Sequence, residues 1–305
     1  MDQDILAGLC RIAGREHVYE QEPMSRHTTF RIGGPADYFV TPESVRAVEE
    51  LVAFCRERTV PFYILGNGSN LLVGDLGYRG VIIQLYKNLN GIETTGERIL
   101  AQAGAMLSAI ARTAQEHGLS GLEFASGIPG TLGGAVVMNA GAYGGEMKDV
   151  VRRVRALSRE GEILEIPGEE MEFGYRTSLV GKRQYIVLEA ELELERGEKS
   201  QIGARMRELQ ERRVQKQPLN LPSAGSTFKR PEGYFAGKLI MDAGLRGFSV
   251  GGAQISEKHC GFVVNKGGAT AADVRELMNQ VKAIVKEKTG VSLEPEVKML
   301  GEFEK

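Results

Sequence analysis

Cysteine is scarce in this 305-residue chain: Cys10, Cys55 and Cys260 stand far apart, with no CxxC pair. An odd, scattered set of thiols argues against a disulfide framework and a cysteine-based zinc site, and fits a reducing compartment. An excess of charge is also missing. The 38 Lys and Arg nearly balance 40 Asp and Glu, so a net charge of −2 gives no broad field to hold a nucleic acid. No run is long and apolar enough to span a bilayer. The opening MDQDILAGLCRIAGRE is acidic where a secretion signal is basic, and its apolar residues recur at helical spacing. These absences lead us to expect a cytoplasmic protein that binds neither membrane nor nucleic acid.

Familiar catalytic signatures are lacking too. There is no GxGxxG opening a long helix and no Walker lysine, and the four histidines sit in no triad-like motif. Glycine, by contrast, is abundant at 39 residues, and it is dense in segments such as GNGSN and SGIPGTLGGAVVMNAGAYGG, both flanked by apolar runs.

The length exceeds one comfortable core, so two or three modules are expected. Leu6, Leu9 and Ile12 mark an amphipathic helix. A strand follows at residues 37–40, then a helix started by Ser44 with Val45, Val48, Leu51, Val52 and Cys55 on one face. Short buried strands at 62–65 and 81–85 bracket the first glycine loop. A second lobe contains a strand at 99–103, a helix around 106–117, a hairpin turning at Glu160-Gly161 and a strand at 185–194. Ser200 is the expected N-cap of a basic helix to about Gln215; a last helix runs from Thr270 to Gly290, before a terminal strand LEPEVKML. The expected boundaries are 1–88, 89–198 and 199–305.

Four segments offer chemistry. In Gly66-Asn67-Gly68-Ser69-Asn70, followed by Leu71, glycines let main-chain N–H groups approach phosphate oxygens; a plain tight turn is the rival reading. Ser126-Gly127-Ile128-Pro129-Gly130-Thr131-Leu132-Gly133-Gly134-Ala135, then Asn139 and Gly141, supplies a second glycine-lined backbone, able to clamp a pyrophosphate with the first or merely to let packed backbones cross. Arg176, after Tyr175, offers a fork suited to a carboxylate or phosphate, although such an arginine is commonly a surface ion-pair residue. Ser226 sits beside Lys229 and Arg230, while Glu294 and Glu296, two apart on a strand, read as solvent-facing.

In this order, HTTFRIGGPADYFV, ILGNGSNLLV, SGIPGTLGGAVVMNAGAYGG, FGYRTS, GSTFKRP, AGKLIMDAGLRG and LEPEVKML closely resemble the UDP-N-acetylenolpyruvoylglucosamine reductase family. The resemblance implies an α+β protein: an FAD-binding half of two α/β subdomains, of the flavin-oxidase (PCMH) type, and a C-terminal α+β substrate domain. It implies non-covalent FAD held by residues 66–71 and 127–135, NADPH as co-substrate, a UDP-sugar substrate, and no metal or obligate protein partner. It matches Arg176, Ser226 and Glu296 to the family's catalytic trio. Lys216, Lys229 and Arg230 flank the serine loop and are candidates for the UDP diphosphate. The stretch between Ser226 and Glu296 is too short for the inserted lid of the long branch, so the chain resembles the type II branch, with Tyr175 and Tyr234 as candidates to close over the substrate. The rival functions are an FAD-linked oxidase and a non-catalytic flavin or nucleotide-sugar binding module.

Overall fold

The computed structural model describes residues 3–304. They divide into two compact units that interleave along the chain. The first comprises the residues up to Tyr19, Tyr38–Asn67 and Val81–Arg213; the second comprises Glu20–Asp37, Gly68–Gly80 and the residues from Val214 onward. The expected division ran in three consecutive blocks; the observed one follows strand pairing between distant segments.

In the first unit, helix Gln3–Ala13 packs on helix Val45–Glu57. Gly8 allows the close approach, since a Cβ there would lie 2.2 Å from the Phe54 ring. Ser44 caps the second helix as its sequence position predicts, its side chain accepting from Ala47 N at 3.1 Å. Strand Phe62–Leu65 runs parallel to residues 81–84.

A five-stranded antiparallel sheet follows, in the order Ile163–Pro167, Val151–Leu157, Ile186–Glu193, Arg98–Gln102, Ile92–Thr95. Its first hairpin turns through Gly161 at φ 94°, a left-handed geometry that glycine adopts without steric cost. Helices Leu107–Glu116 and Leu132–Val137 cover the sheet, burying Ile110, Leu132 and Val136 against Ile99, Val154 and Leu188. Each such fully buried aliphatic side chain contributes about 1.5–3 kcal/mol.

The second unit has a four-stranded antiparallel sheet, Ser223–Ser226, Phe262–Asn265, Ala253–Ile255, Ser249–Val250, packed with helices Ala236–Asp242 and Ala271–Thr289. The long helix starts with a Thr270–Asp273 capping box and ends at Gly290 with φ 74°. Its N-terminus has a further anchor from far away in sequence: Asp75 accepts from Ala271 N (2.7 Å) and Ala272 N (2.8 Å).

Three local expectations shift. The basic helix begins at Lys199, one residue before Ser200, because Glu198 O accepts the first-turn amides of Gln201 and Ile202. The terminal strand shortens to Lys298–Leu300, because the residues before it pair elsewhere: Glu294 O accepts from Lys229 N and Glu296 N donates to Thr227 O. Ile284 is only partly buried on its helix. Among the described residues no helix is long and apolar enough to cross a membrane.

Candidate active site

The two glycine segments meet within the first unit. Asn67 Nδ2 donates to Pro129 O at 2.8 Å, and a Cβ on Gly66 would lie 2.4 Å from Thr131 Oγ1. Gln84 Nε2 holds Gly66 O at 3.3 Å. On the other side of the second segment, Leu132 N and Gly133 N donate to Ala105 O and Ala103 O at 2.8 and 2.9 Å, so this backbone is pinned to the residues that follow strand Arg98–Gln102. Gly134 faces outward: a Cβ there would meet only Thr131 Oγ1, at 4.0 Å. Backbone of this kind, with few side chains in the way, lets a bulky planar or phosphorylated ligand approach closely.

The predicted binding residues divide by what they touch. Gly133, packed against Ala103, and Ala135, at 4 % exposure, support the helix packing. Ser126 Oγ donates to Glu123 O, and Ile128 N to Ala125 O, closing the turn that presents Gly127 and Gly130. Gly141 pairs with Glu146 in a short hairpin. In the second unit, Gly68 takes φ 61° beside His27 O, and Asn70 Nδ2 donates to Glu296 O at 3.1 Å. Leu71 is a buried strand residue paired with Lys298, and Ser69 is part-exposed between them.

Arg176 lies in the first unit, in a turn closed by reciprocal Gly174 and Thr177 backbone bonds of 3.1 and 3.3 Å. Its φ is 56°, and its guanidinium carbon stands 5.1 Å from the centroid of the exposed Tyr175 ring. Ser226 and Glu296 belong to the second unit and are brought together there. Glu296 N donates to Thr227 O at 2.8 Å, and Phe228 bridges Pro295. A register shift between Ser223 and Ser226, with Gly225 at φ 75°, pushes Ser226 out to an exposed position while Thr227 and Phe228 on its C-terminal side stay buried.

The three cations proposed for a diphosphate differ in setting. Lys229 Nζ is 3.2 Å from Glu294, Arg230 stacks 4.0 Å from the Phe235 ring centroid, and Lys216 is exposed at its helix end. Tyr234 is 49 % exposed, with its carbonyl accepting from Arg230 Nε. A cavity of about 690 Å³ in the second unit is walled by Pro218, Asn220, Ser256, Lys258 and Lys266, not by Ser226 or Glu296.

One residue in the site escaped the sequence reading. Arg213 lies beside Gly127, its Cδ 3.2 Å from where a Cβ would stand. Burial lowers its pKa from the ordinary arginine value, and the Tyr143 phenol opposes that shift. In sequence it is hidden within the basic run ERRVQK; its only distinguishing signal is its packing against the glycine loop. Two buried thiols are held protonated by contrast: burial pushes Cys55 up to about 12 and raises Cys260.

Two family models match: an FAD binding domain over residues 36–167, and the C-terminal domain of UDP-N-acetylenolpyruvoylglucosamine reductase over 217–300. A UDP-N-acetylenolpyruvoylglucosamine reductase of Clostridioides difficile (strain 630) is 53 % identical over 301 residues, 99 % of each chain. The crystal structure of UDP-N-acetylenolpyruvylglucosamine reductase (MurB) from Thermus caldophilus superposes with a TM-score of 0.79 at 38 % identity, covering 91 % of this chain and 97 % of that one. Alkyldihydroxyacetonephosphate synthase, 17 % identical with a TM-score of 0.50 over 64 % of this chain and 41 % of its own, shares the fold alone. Matched almost end to end by such relatives, with the seven motifs in order along it, this chain belongs to the UDP-N-acetylenolpyruvoylglucosamine reductase family.

Proposed function

We propose that the protein reduces the enolpyruvyl group of UDP-N-acetylglucosamine enolpyruvate to give UDP-N-acetylmuramate, using NADPH through non-covalently bound FAD, in the cytoplasm, as a step in peptidoglycan precursor synthesis. The observation that carries this reading is the junction of Gly66 and Asn67 with Pro129 and Thr131, inside the segment matched by the FAD-binding model. Backbone amides and small side chains there fit a dinucleotide: close approach is open at Gly134, and Ser69 and Ser126 add short hydroxyls. Arg213 adds a cation for its phosphates. We assign 1–88 and 89–198, together with Arg213, to cofactor binding and the rest of 199–305 to the substrate.

When bound, FAD supplies hydride transfer, taking electrons from NADPH and giving them to the substrate's terminal alkene carbon. The protein's own residues do the rest. Addition at that carbon pushes charge toward the conjugated carboxylate, and the Arg176 guanidinium stabilises the resulting enediolate in a water-poor site. Glu296 holds the same end of the substrate. Ser226 protonates the adjacent carbon; a serine is a weak acid, but that carbanion is a stronger base than an alkoxide, so the transfer is downhill. Lys216, Lys229 and Arg230 neutralise the diphosphate, while Tyr175 and Tyr234 flank the sugar nucleotide.

The test is the anaerobic visible spectrum of the purified protein. A bound-flavin band should bleach on NADPH and return only when the enolpyruvyl sugar is added. Return on oxygen alone, with the sugar nucleotide inert, would establish an oxidase instead; a band that NADPH never bleaches would establish a binding module.

A further inference from the structure

We infer that Asn139 is a positioning residue for the turn that carries Arg176 and not a ligand of the cofactor; this rests on the catalytic role proposed for Arg176. Asn139 is 1 % exposed, at φ 44°, just past helix Leu132–Val137. Its carboxamide is fully engaged by protein. Nδ2 donates to Glu146 Oε2 at 2.6 Å and to Gly174 O at 3.1 Å, and Oδ1 accepts from Lys148 N at 2.9 Å. An amide nitrogen has two hydrogens, so no donor remains for a phosphate or a flavin carbonyl.

Gly174 opens the turn in which Arg176 sits at φ 56°, a left-handed conformation that a long-chain residue adopts rarely, where its surroundings impose it. The turn is tied at both ends to one short stretch of chain. Asn139 holds Gly174 O, and Ser178 Oγ donates to Val137 O at 2.8 Å while also capping helix Leu179–Arg183. Ser178 is fully buried. Residues 137–139 thus fix the backbone on either side of Arg176, and the same stretch continues from the glycine segment. A guanidinium preorganised in this way needs no reordering when charge develops.

The test uses the full-length flavoprotein with Asn139→Ala, Arg176→Ala, the double variant, and Ser178→Ala, which cuts the other tie and stands in should Asn139→Ala fold poorly. Both half-reactions are followed by stopped flow. Flavin reduction by NADPH and the FAD dissociation constant should stay within about threefold of wild type, because neither uses Arg176. Reoxidation by the enolpyruvyl sugar should slow about 10- to 100-fold in Asn139→Ala, the cost of a misplaced catalytic group. Ser178→Ala should slow the same step. Arg176→Ala should slow it about 10²- to 10³-fold, and the double variant should be no slower than Arg176→Ala, since the two act through one group. Multiplicative losses in the double variant, or weaker FAD binding with normal reoxidation of the loaded protein, would overturn the inference and leave Arg176 catalytic. An Arg176→Ala protein with normal reoxidation would overturn the catalytic assignment itself, and the inference with it.

Discussion

Ser226→Ala isolates a single proton transfer. The Ser226 hydroxyl is exposed and makes no hydrogen bond to any other described residue, so its removal leaves no orphaned partner. The neighbouring bulge is set by Gly225 and by Thr227, whose Oγ1 accepts from Val263 N at 2.9 Å, and neither changes. Stability should therefore stay within about 0.5 kcal/mol of wild type, as for a surface substitution. A positioned general acid contributes typically 10²–10⁴-fold, which is about 2.7–5.4 kcal/mol of barrier. Stopped-flow measurement under anaerobic conditions should then find wild-type bleaching of the flavin by NADPH and a 10²–10⁴-fold slower return of colour with the enolpyruvyl sugar. Equal slowing of both steps, or a full-rate second step, would refute the role of this hydroxyl.

Further outcomes follow from packing and charge. Asp75→Ala removes both contacts to the start of helix Ala271–Thr289; loss of a capping side chain and of a charge at a helix N-terminus should cost about 2 kcal/mol, seen as a lower urea midpoint. Gly66→Ala forces a methyl against Thr131 Oγ1 and should weaken FAD binding by about 1–3 kcal/mol of strain, relieved by adding Thr131→Ala; titration of the apoprotein with FAD reads both. His259 has its pKa lowered by burial first, with Lys216 adding to the effect, and its Nδ1 accepts from Gly261 N at 3.1 Å. A depressed folded pKa means that its contribution is present above the unfolded value of about 6.5 and is lost as pH falls through the lower folded value. Denaturation at pH 7.5 and 5.5 should show that loss, with a shallower slope in His259→Asn.

Legibility in the sequence tracked the range of the interactions. Helices announced by a cap and a period, Ser44 to Glu57 and Thr270 to Gly290, came out as read, because their signals are contained within their own turns. The glycine segments were legible as unusual backbone, with a tight turn equally open for the first; that the two lie against each other, Asn67 reaching Pro129, appears only in the fold. The units were not legible. Leu71–Val73 pairs in parallel with Lys298–Leu300, and Asp75 caps a helix that begins 196 residues later, and neither fact leaves a local trace. Asn139 looked like one more polar group in a glycine loop; its three protein partners, which include the turn of Arg176, appear only when the chain is folded.

The parallel pairing of Leu71–Val73 with Lys298–Leu300 also bears on how the polypeptide is made. On a ribosome, the early strand emerges more than two hundred residues ahead of its mate, and must wait with an unsatisfied edge until that mate is made. Such late closure predicts slow maturation and dependence on chaperones. It also predicts that fragments cut at the linear boundary near residue 199 would be insoluble separately and recover structure only when mixed.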